Sequence, residues 1–146
     1  MRELKEQNKF KRILGLDIGT KRIGIAISDP LEISAQPLKA VSRKPDLDSI
    51  NEIKKICEEY NVFIIVAGLP KNMNGSIGFQ AEDVISYLEL LKKEIPLTIE
   101  LEDERLTSVI AEKALIEQNK KPSKKKELID ISSAILILQQ FLNKRR

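Results

Sequence analysis

Val62-Phe63-Ile64-Ile65-Val66-Ala67 is a continuous run of β-branched, aromatic and small apolar residues without one polar position. Such a run reads as a central parallel strand, because a strand covered on both faces has no solvent side to mark with polar residues. It requires neighbouring strands beside it and helices above and below. Ile13 to Asp17 reads as a second buried strand, and Gly19-Thr20-Lys21 as a short hairpin connection into a third, Ile23 to Ser28. Another strand is expected from Ala35 to Val41, with Pro37 pushing it to an edge of the sheet. Asp46 to Tyr60 carries Leu47, Ile50, Ile53, Ile56, Cys57 and Tyr60 at three-to-four spacing, which predicts an amphipathic helix.

After the central run, Gly68 to Ser76 is filled with turn residues. Helices are expected from about Ile77 to Lys93 and from Thr107, as N-cap, to Gln118, with a strand from Leu97 to Leu101 between them. Asn119 to Pro122 reads as a connector into a last helix, capped by Ser123 and ending near Asn143. This order predicts an α/β domain in which hairpin-linked strands join βαβ crossovers in one mixed sheet, with helices on its faces. The strands ending at Asp17, Ala67 and Leu101 are then parallel and adjacent or nearly so. Ligands in such sheets bind outside the carboxyl ends of the strands. The 146 residues suffice for one domain, expected over 12–143, between a polar N-terminal tail (1–11) and a basic C-terminal end (144–146).

The chain has no histidine, which excludes every mechanism that needs an imidazole base, nucleophile or zinc ligand. Its one cysteine, Cys57, excludes an intramolecular disulfide and reads as a core thiol on the helix. No apolar run approaches a membrane span and the first residues lack a signal-peptide core, so a soluble cytoplasmic protein is expected. The net charge of +3 is too small to demonstrate a nucleic-acid partner. The clusters at Lys9, Lys11 and Arg12, at Lys21-Arg22, at Lys120 to Lys126 and at Lys144 to Arg146 suit a phosphate backbone, and equally suit solvated loops.

Three acidic positions stand out. Asp17 ends an apolar strand, where an ionised side chain is costly unless paired or metal-bound, and the glycines and Thr20 around it form a turn where backbone can approach a phosphate. Glu102-Asp103-Glu104 closes another apolar run. Odd-numbered apolar residues there predict that Asp103 continues the buried phase while Glu100 and Glu102 face solvent; Glu104 turns inward only if the strand ends first. Asp130 interrupts a greasy helix, sharing a side with Ala134 and bordering the Ile131, Ile135, Leu138 stripe. Each has a plainer reading: Asp17 as a turn cap, the second cluster as charge against a helix dipole, Asp130 as a hydrogen-bonded boundary residue.

Together these carboxylates point to divalent-metal chemistry on phosphate esters. Mg²⁺ or Mn²⁺ suits an all-oxygen set, and two ions roughly 3.5–4 Å apart stabilise both the attacking and the leaving oxygen. Asp17, Asp103 and Asp130 are the expected metal ligands, with Glu104 as the alternative to Asp103 and a fourth catalytic candidate. Arg105 is expected either to hold a phosphate or to pair with an acid such as Glu102. Thr20, Lys21, Arg22 and the Asn72 to Ser76 loop with Gly75 are expected to position substrate through phosphate contacts.

The same residues resemble the YqgF (RuvX) family of bacterial proteins, which have the ribonuclease H-like fold and are related to RuvC-type Holliday junction resolvases. The resemblance spans roughly Arg12 to Leu142 and is carried by Leu14 to Asp29, Gly68 to Gly75, Asp103 to Ser108, and Asp130 with Ser133-Ala134 and Ile137-Leu138. The chain departs from the family at Ser108, where a second threonine is usual, and after Asp130, where Asp-Ser-x-Ala-Ala is usual. The resemblance implies a mixed five-stranded sheet flanked by helices and a metal-dependent nuclease. The family's assigned role is 5′-end maturation of precursor 16S rRNA, and junction resolution is the older proposal. Precursor rRNA, free or in a ribosomal particle, is the implied partner of a monomer or homodimer. Two readings compete: a non-catalytic nucleic-acid-binding module, and one lobe of a sugar kinase or actin-like ATPase, whose phosphate loop Asp17-Ile18-Gly19-Thr20 resembles.

Overall fold

The computed structural model describes residues 10–72, 74–104 and 123–145. The elements are β1 (Arg12–Ile18), β2 (Arg22–Ser28), β3 (Ala35–Ser42), α1 (Asp46–Glu59), β4 (Val62–Leu69), α2 (Phe79–Glu94), β5 (Thr98–Asp103) and α3 (Ser123–Arg145). The strands form one sheet in the order β3-β2-β1-β4-β5. β1 is antiparallel to β2 and β2 to β3, whereas β1, β4 and β5 run parallel. The carboxyl ends of those three parallel strands thus share one edge, as the crossover rule requires. β3 lies at the outer margin, and its register shifts near Pro37, which has no N–H to donate to a ladder. The helix expected from 107 to 118, its Thr107 cap, the 119–122 connector and Arg105 lie outside the described residues.

Both sheet faces are covered, which is why β4 needs no polar alternation. On one face Ile50, Ile53, Ile56 and Cys57 of α1 and Val84, Leu88 and Leu91 of α2 pack on Leu14, Leu16, Ile25, Ile65 and Ala67. On the other, Ala134, Ile137, Leu138 and Leu142 of α3 pack on Ile13, Ala26, Ile64 and Val66. Burial pushes the Cys57 thiol up to about 12, with Glu58 adding to it, so it is an un-ionised core group. The inward stripe of α3 begins with Asp130 and Ser133. Asp130 therefore lies within that stripe rather than at its border.

α3 is also fastened at its far end. The Asp29 carboxylate accepts the N–H groups of Leu31, Ile33 and Ser34 at 3.1, 2.7 and 2.7 Å, which shapes the β2–β3 loop around Glu32 at φ 58°. Burial raises the Asp29 pKa, but those donors outweigh it and leave the carboxyl below its usual range. Gln139 of α3 accepts from Ala35 N–H at 2.9 Å and donates to Ile33 O at 3.0 Å, so the loop docks on the helix.

Candidate active site

Asp17 is paired across the ladder with Gly24 of β2. Leu16 is paired with Ala67 of β4, so the next step of that parallel register sets Asp17 beside Gly68. Residues opposite one another in a sheet project to the same face. A Cβ on Gly24 would stand 1.9 Å from the Asp130 carbonyl oxygen. A Cβ on Gly68 would stand 2.6 Å from Glu104 Oε2 and 2.7 Å from Ile137 Cδ1. Asp17 is thus flanked by two glycines whose missing side chains admit the α3 backbone at Asp130 on one side and the Glu104 carboxylate on the other. All three acids are buried, at 9%, 5% and 5% exposure for Asp17, Glu104 and Asp130.

Asp103 is placed differently from the expectation. It is exposed, while Glu102 and Glu104 are buried. Leu69, its partner in β4, belongs to the α1–α2 core, so Asp103 projects to the face opposite α3 and lies 3.7 Å from Lys71 Nζ. The alternation of β5 was legible, but its meaning was not. In β5 Glu102 alone is buried, while Leu101 and Asp103 on the opposite phase are exposed, so the apolar phase does not mark the buried side of this marginal strand. Glu102, predicted to face solvent, accepts Lys144 Nζ at 2.5 Å under the end of α3. Lys144 and Arg145, the latter 3.2 Å from Glu32, are thus partnered with acids.

The cationic candidates divide. Arg22, two residues from Gly24 on the same strand face, donates Nε to Asp130 Oδ2 at 2.7 Å. Thr20 and Lys21 are exposed on the β1–β2 turn at the carboxyl edge of the sheet. Asn72 and Gly75 lie at the same edge in a loop that bonds to itself: Asn72 N–H to Ser76 O at 3.0 Å, Gly75 N–H to Asn72 O at 2.9 Å, and Ser76 N–H to Asn74 Oδ1 at 2.9 Å. Gly75 has φ 85°, a conformation that favours glycine.

Sequence reasoning passed over Arg43 and Asp83. Arg43 Nη1 and Nη2 donate to the two Asp83 oxygens at 2.7 and 3.1 Å, and Nη1 also donates to Gly19 O at 3.1 Å. The Arg43 side-chain bond is the main cause that holds the Asp83 carboxyl below its usual range. No local spacing announces this pair, because forty positions separate its members.

The donor chemistry fits a hard divalent cation. Asp17, Glu104 and Asp130 offer only oxygens, come from three separate elements, and share one sheet face in a cradle that Cβ atoms at Gly24 and Gly68 would fill. Among the described residues, no three such side chains are already gathered into a cage. Arg22 occupies one oxygen of Asp130.

Two solved structures share this architecture. The fowlpox virus Holliday junction resolvase matches with a TM-score of 0.54 at 11% identity, over 92% of this chain and 99% of that one. T. thermophilus RuvC in complex with a Holliday junction substrate matches with a TM-score of 0.50 at 11% identity, over 92% and 95%. At these identities the likeness shows the fold alone, and that fold class is ribonuclease H-like.

Within that class the chain belongs to the RuvX family, described as Holliday junction resolvase, whose match covers residues 11–144. A Clostridium novyi relative named "Putative pre-16S rRNA nuclease" is 49% identical over 132 residues, 90% of this chain and 98% of its own length. A Clostridium acetobutylicum relative of the same name is 48% identical over the same shares.

Proposed function

We propose that this protein is a metal-dependent nuclease that hydrolyses phosphodiester bonds in 5′-end maturation of precursor 16S rRNA in the cytoplasm. The observation that carries this reading is that buried Asp17, Glu104 and Asp130 lie on one sheet face, beside glycines that leave room for them. The near full-length relatives named for pre-16S rRNA support RNA as substrate. Asp17, Glu104 and Asp130 would hold Mg²⁺ or Mn²⁺, as one ion or a pair, with Glu104 replacing Asp103 because Asp103 faces away from α3. Such ions activate water and neutralise the charge that develops on the phosphate.

The chain's own part is to fix those oxygens. Asp17 is rigid because it belongs to a central strand, and Asp130 is oriented by the α3 backbone that seats on Gly24. Thr20, Lys21 and the Asn72–Ser76 loop lie at the same edge and bind the strand through its phosphates rather than its bases. Arg105, next in the chain to Glu104, is assigned the same task.

The test is cleavage of an end-labelled RNA spanning the precursor 5′ end with Mn²⁺, with a four-way DNA junction alongside because the family description names junctions. Asp17→Asn and Glu104→Gln should each lower the rate at least a hundredfold, while Asp103→Asn stays within about threefold of wild type. Full activity of Asp17→Asn would falsify the nuclease reading. A collapse in Asp103→Asn with an active Glu104→Gln would reverse the ligand assignment. Preference for the junction over RNA would move the substrate to DNA.

A further inference from the structure

Arg43 follows β3 and is only 3% exposed. Its guanidinium is gripped from several elements. Asp83 of α2 takes both terminal nitrogens, the Tyr87 ring lies 4.7 Å away, and Asp46 Oδ1 is 3.4 Å from Nε without hydrogen-bond geometry. Tyr87 in turn shares a hydrogen with Ser49 of α1 at 2.6 Å. What this fixed guanidinium holds is the β1–β2 turn. Nη1 donates to Gly19 O at 3.1 Å, and the Arg43 backbone N–H donates to Lys21 O at 2.9 Å. The two bonds bracket Thr20 between them.

A buried ion pair is a poor way to gain stability, since apolar residues of similar volume often serve as well or better. What the planar fork supplies is direction, because one guanidinium can serve several acceptors at fixed angles and an ammonium cannot. Here those directions tie the turn two residues beyond Asp17 to both helices of the opposite face. We infer that Arg43, oriented by Asp83, is a positioning residue that presents the Gly19–Lys21 turn to the phosphates of the substrate. The inference rests on the proposed role of that turn and extends it to side chains that touch no substrate. Its signature is a defect in substrate affinity with the chemical step intact.

The decisive experiment compares wild type, Arg43→Lys and Asp83→Asn in two assays: steady-state cleavage of single-stranded RNA with Mn²⁺, and binding of the same RNA in EDTA. Arg43→Lys keeps the charge and loses the fork; Asp83→Asn alters a partly exposed partner and leaves the core filled. Both should raise KM and the dissociation constant in EDTA by about five- to thirtyfold, with kcat within about twofold. Faster amide exchange at Thr20 and Lys21 should accompany the change. Unaltered binding in both variants overturns the inference. So does a fall in kcat at constant KM, which would place the clamp's effect on the carboxylates. A loss of thermal stability without a change in affinity would make the pair merely structural. Should wild type cleave nothing, the nuclease reading fails by itself, and the EDTA arm still decides the role of Arg43.

Discussion

Replacing Gly24 with alanine tests the packing that brings Asp130 to Asp17. The new Cβ would lie 1.9 Å from the Asp130 carbonyl oxygen, 2.3 Å from its carbonyl carbon and 2.9 Å from Ile131 N, whereas ordinary contact begins near 3.4 Å. All three atoms are helix backbone, so no side chain can turn aside. α3 must lift by about 1.5 Å at this point or the strand must buckle. Overpacking of this kind costs about 1–3 kcal/mol, and loss of a strand glycine returns about 0.5–1 kcal/mol. A net loss of about 1 kcal/mol lowers Tm by roughly 2–4 °C. The informative readout is the additional rise in Tm that Mn²⁺ produces over EDTA, which reports binding to the folded state. It should shrink in Gly24→Ala, because Asp130 is displaced from the row.

Gly15→Ala is the control. Its Cβ would meet Leu138 Cβ at 2.7 Å and Ala134 O at 3.1 Å, one to two turns further along α3. That variant should lose stability and keep the Mn²⁺ increment. Equal loss of the increment in both variants would refute the local argument, since general loosening of α3 would then account for it. An unchanged Tm in Gly24→Ala would refute the close approach itself.

Two further outcomes follow from contacts and burial in the structure. Arg22→Gln removes the cation 2.7 Å from Asp130 Oδ2; a unit charge about 4 Å away is worth up to about 4 kcal/mol at an effective dielectric of 20. Solvent screening reduces this to an expected tenfold tightening of Mn²⁺ binding, read by electron paramagnetic resonance titration, and weaker binding would show that Arg22 does not compete with the ion. Burial pushes both Cys57 and Tyr87 up to about 12 from ordinary values of 9.0 and 10.0. The unfolded chain releases these protons first, so the stability they contribute is full below pH 9 and declines as pH rises toward 12. Cys57→Ala should therefore lose about 1 kcal/mol less than wild type between pH 8 and pH 10 in urea unfolding, and identical losses would contradict the buried thiol.

Much of this architecture can be read from residues that break a local pattern. β1 and β4 are legible because neither alternates, and Asp17 and Asp130 because each puts a charge where neighbours are apolar. Pro37 correctly marks an outer strand. Arg43 and Asp83 leave no such mark. Each sits in a polar stretch where a charge is ordinary, and only the folded chain brings them together. Glycines 24 and 68 are similarly silent in sequence, since a glycine in a strand does not disclose which backbone or carboxylate approaches it.

The proposed exchange of Asp103 for Glu104 has a more general cause. Period-two reasoning assigns one face of a strand to the core and the other to water, which holds for a sheet with a single covered face. β5 lies at the margin of the sheet, where its apolar odd phase ends in exposed Leu101 and Asp103 while Glu102 of the even phase is buried. Its odd residues pair with Ile65, Ala67 and Leu69 on the α1–α2 side, and its even residues with Val66 and Gly68 on the α3 side. The question that locates a ligand is therefore which helix a residue faces. In the proposed ligand set Asp17 and Asp130 mark the α3 face, and a third oxygen donor on β5 would be in phase with Gly68. Glu102 has that phase and pairs with Gly68 in the register, but its carboxylate is taken by Lys144. Glu104, whose N–H closes on Leu69 O at 3.0 Å as the strand ends, is the next residue in phase and the one whose carboxylate reaches Gly68.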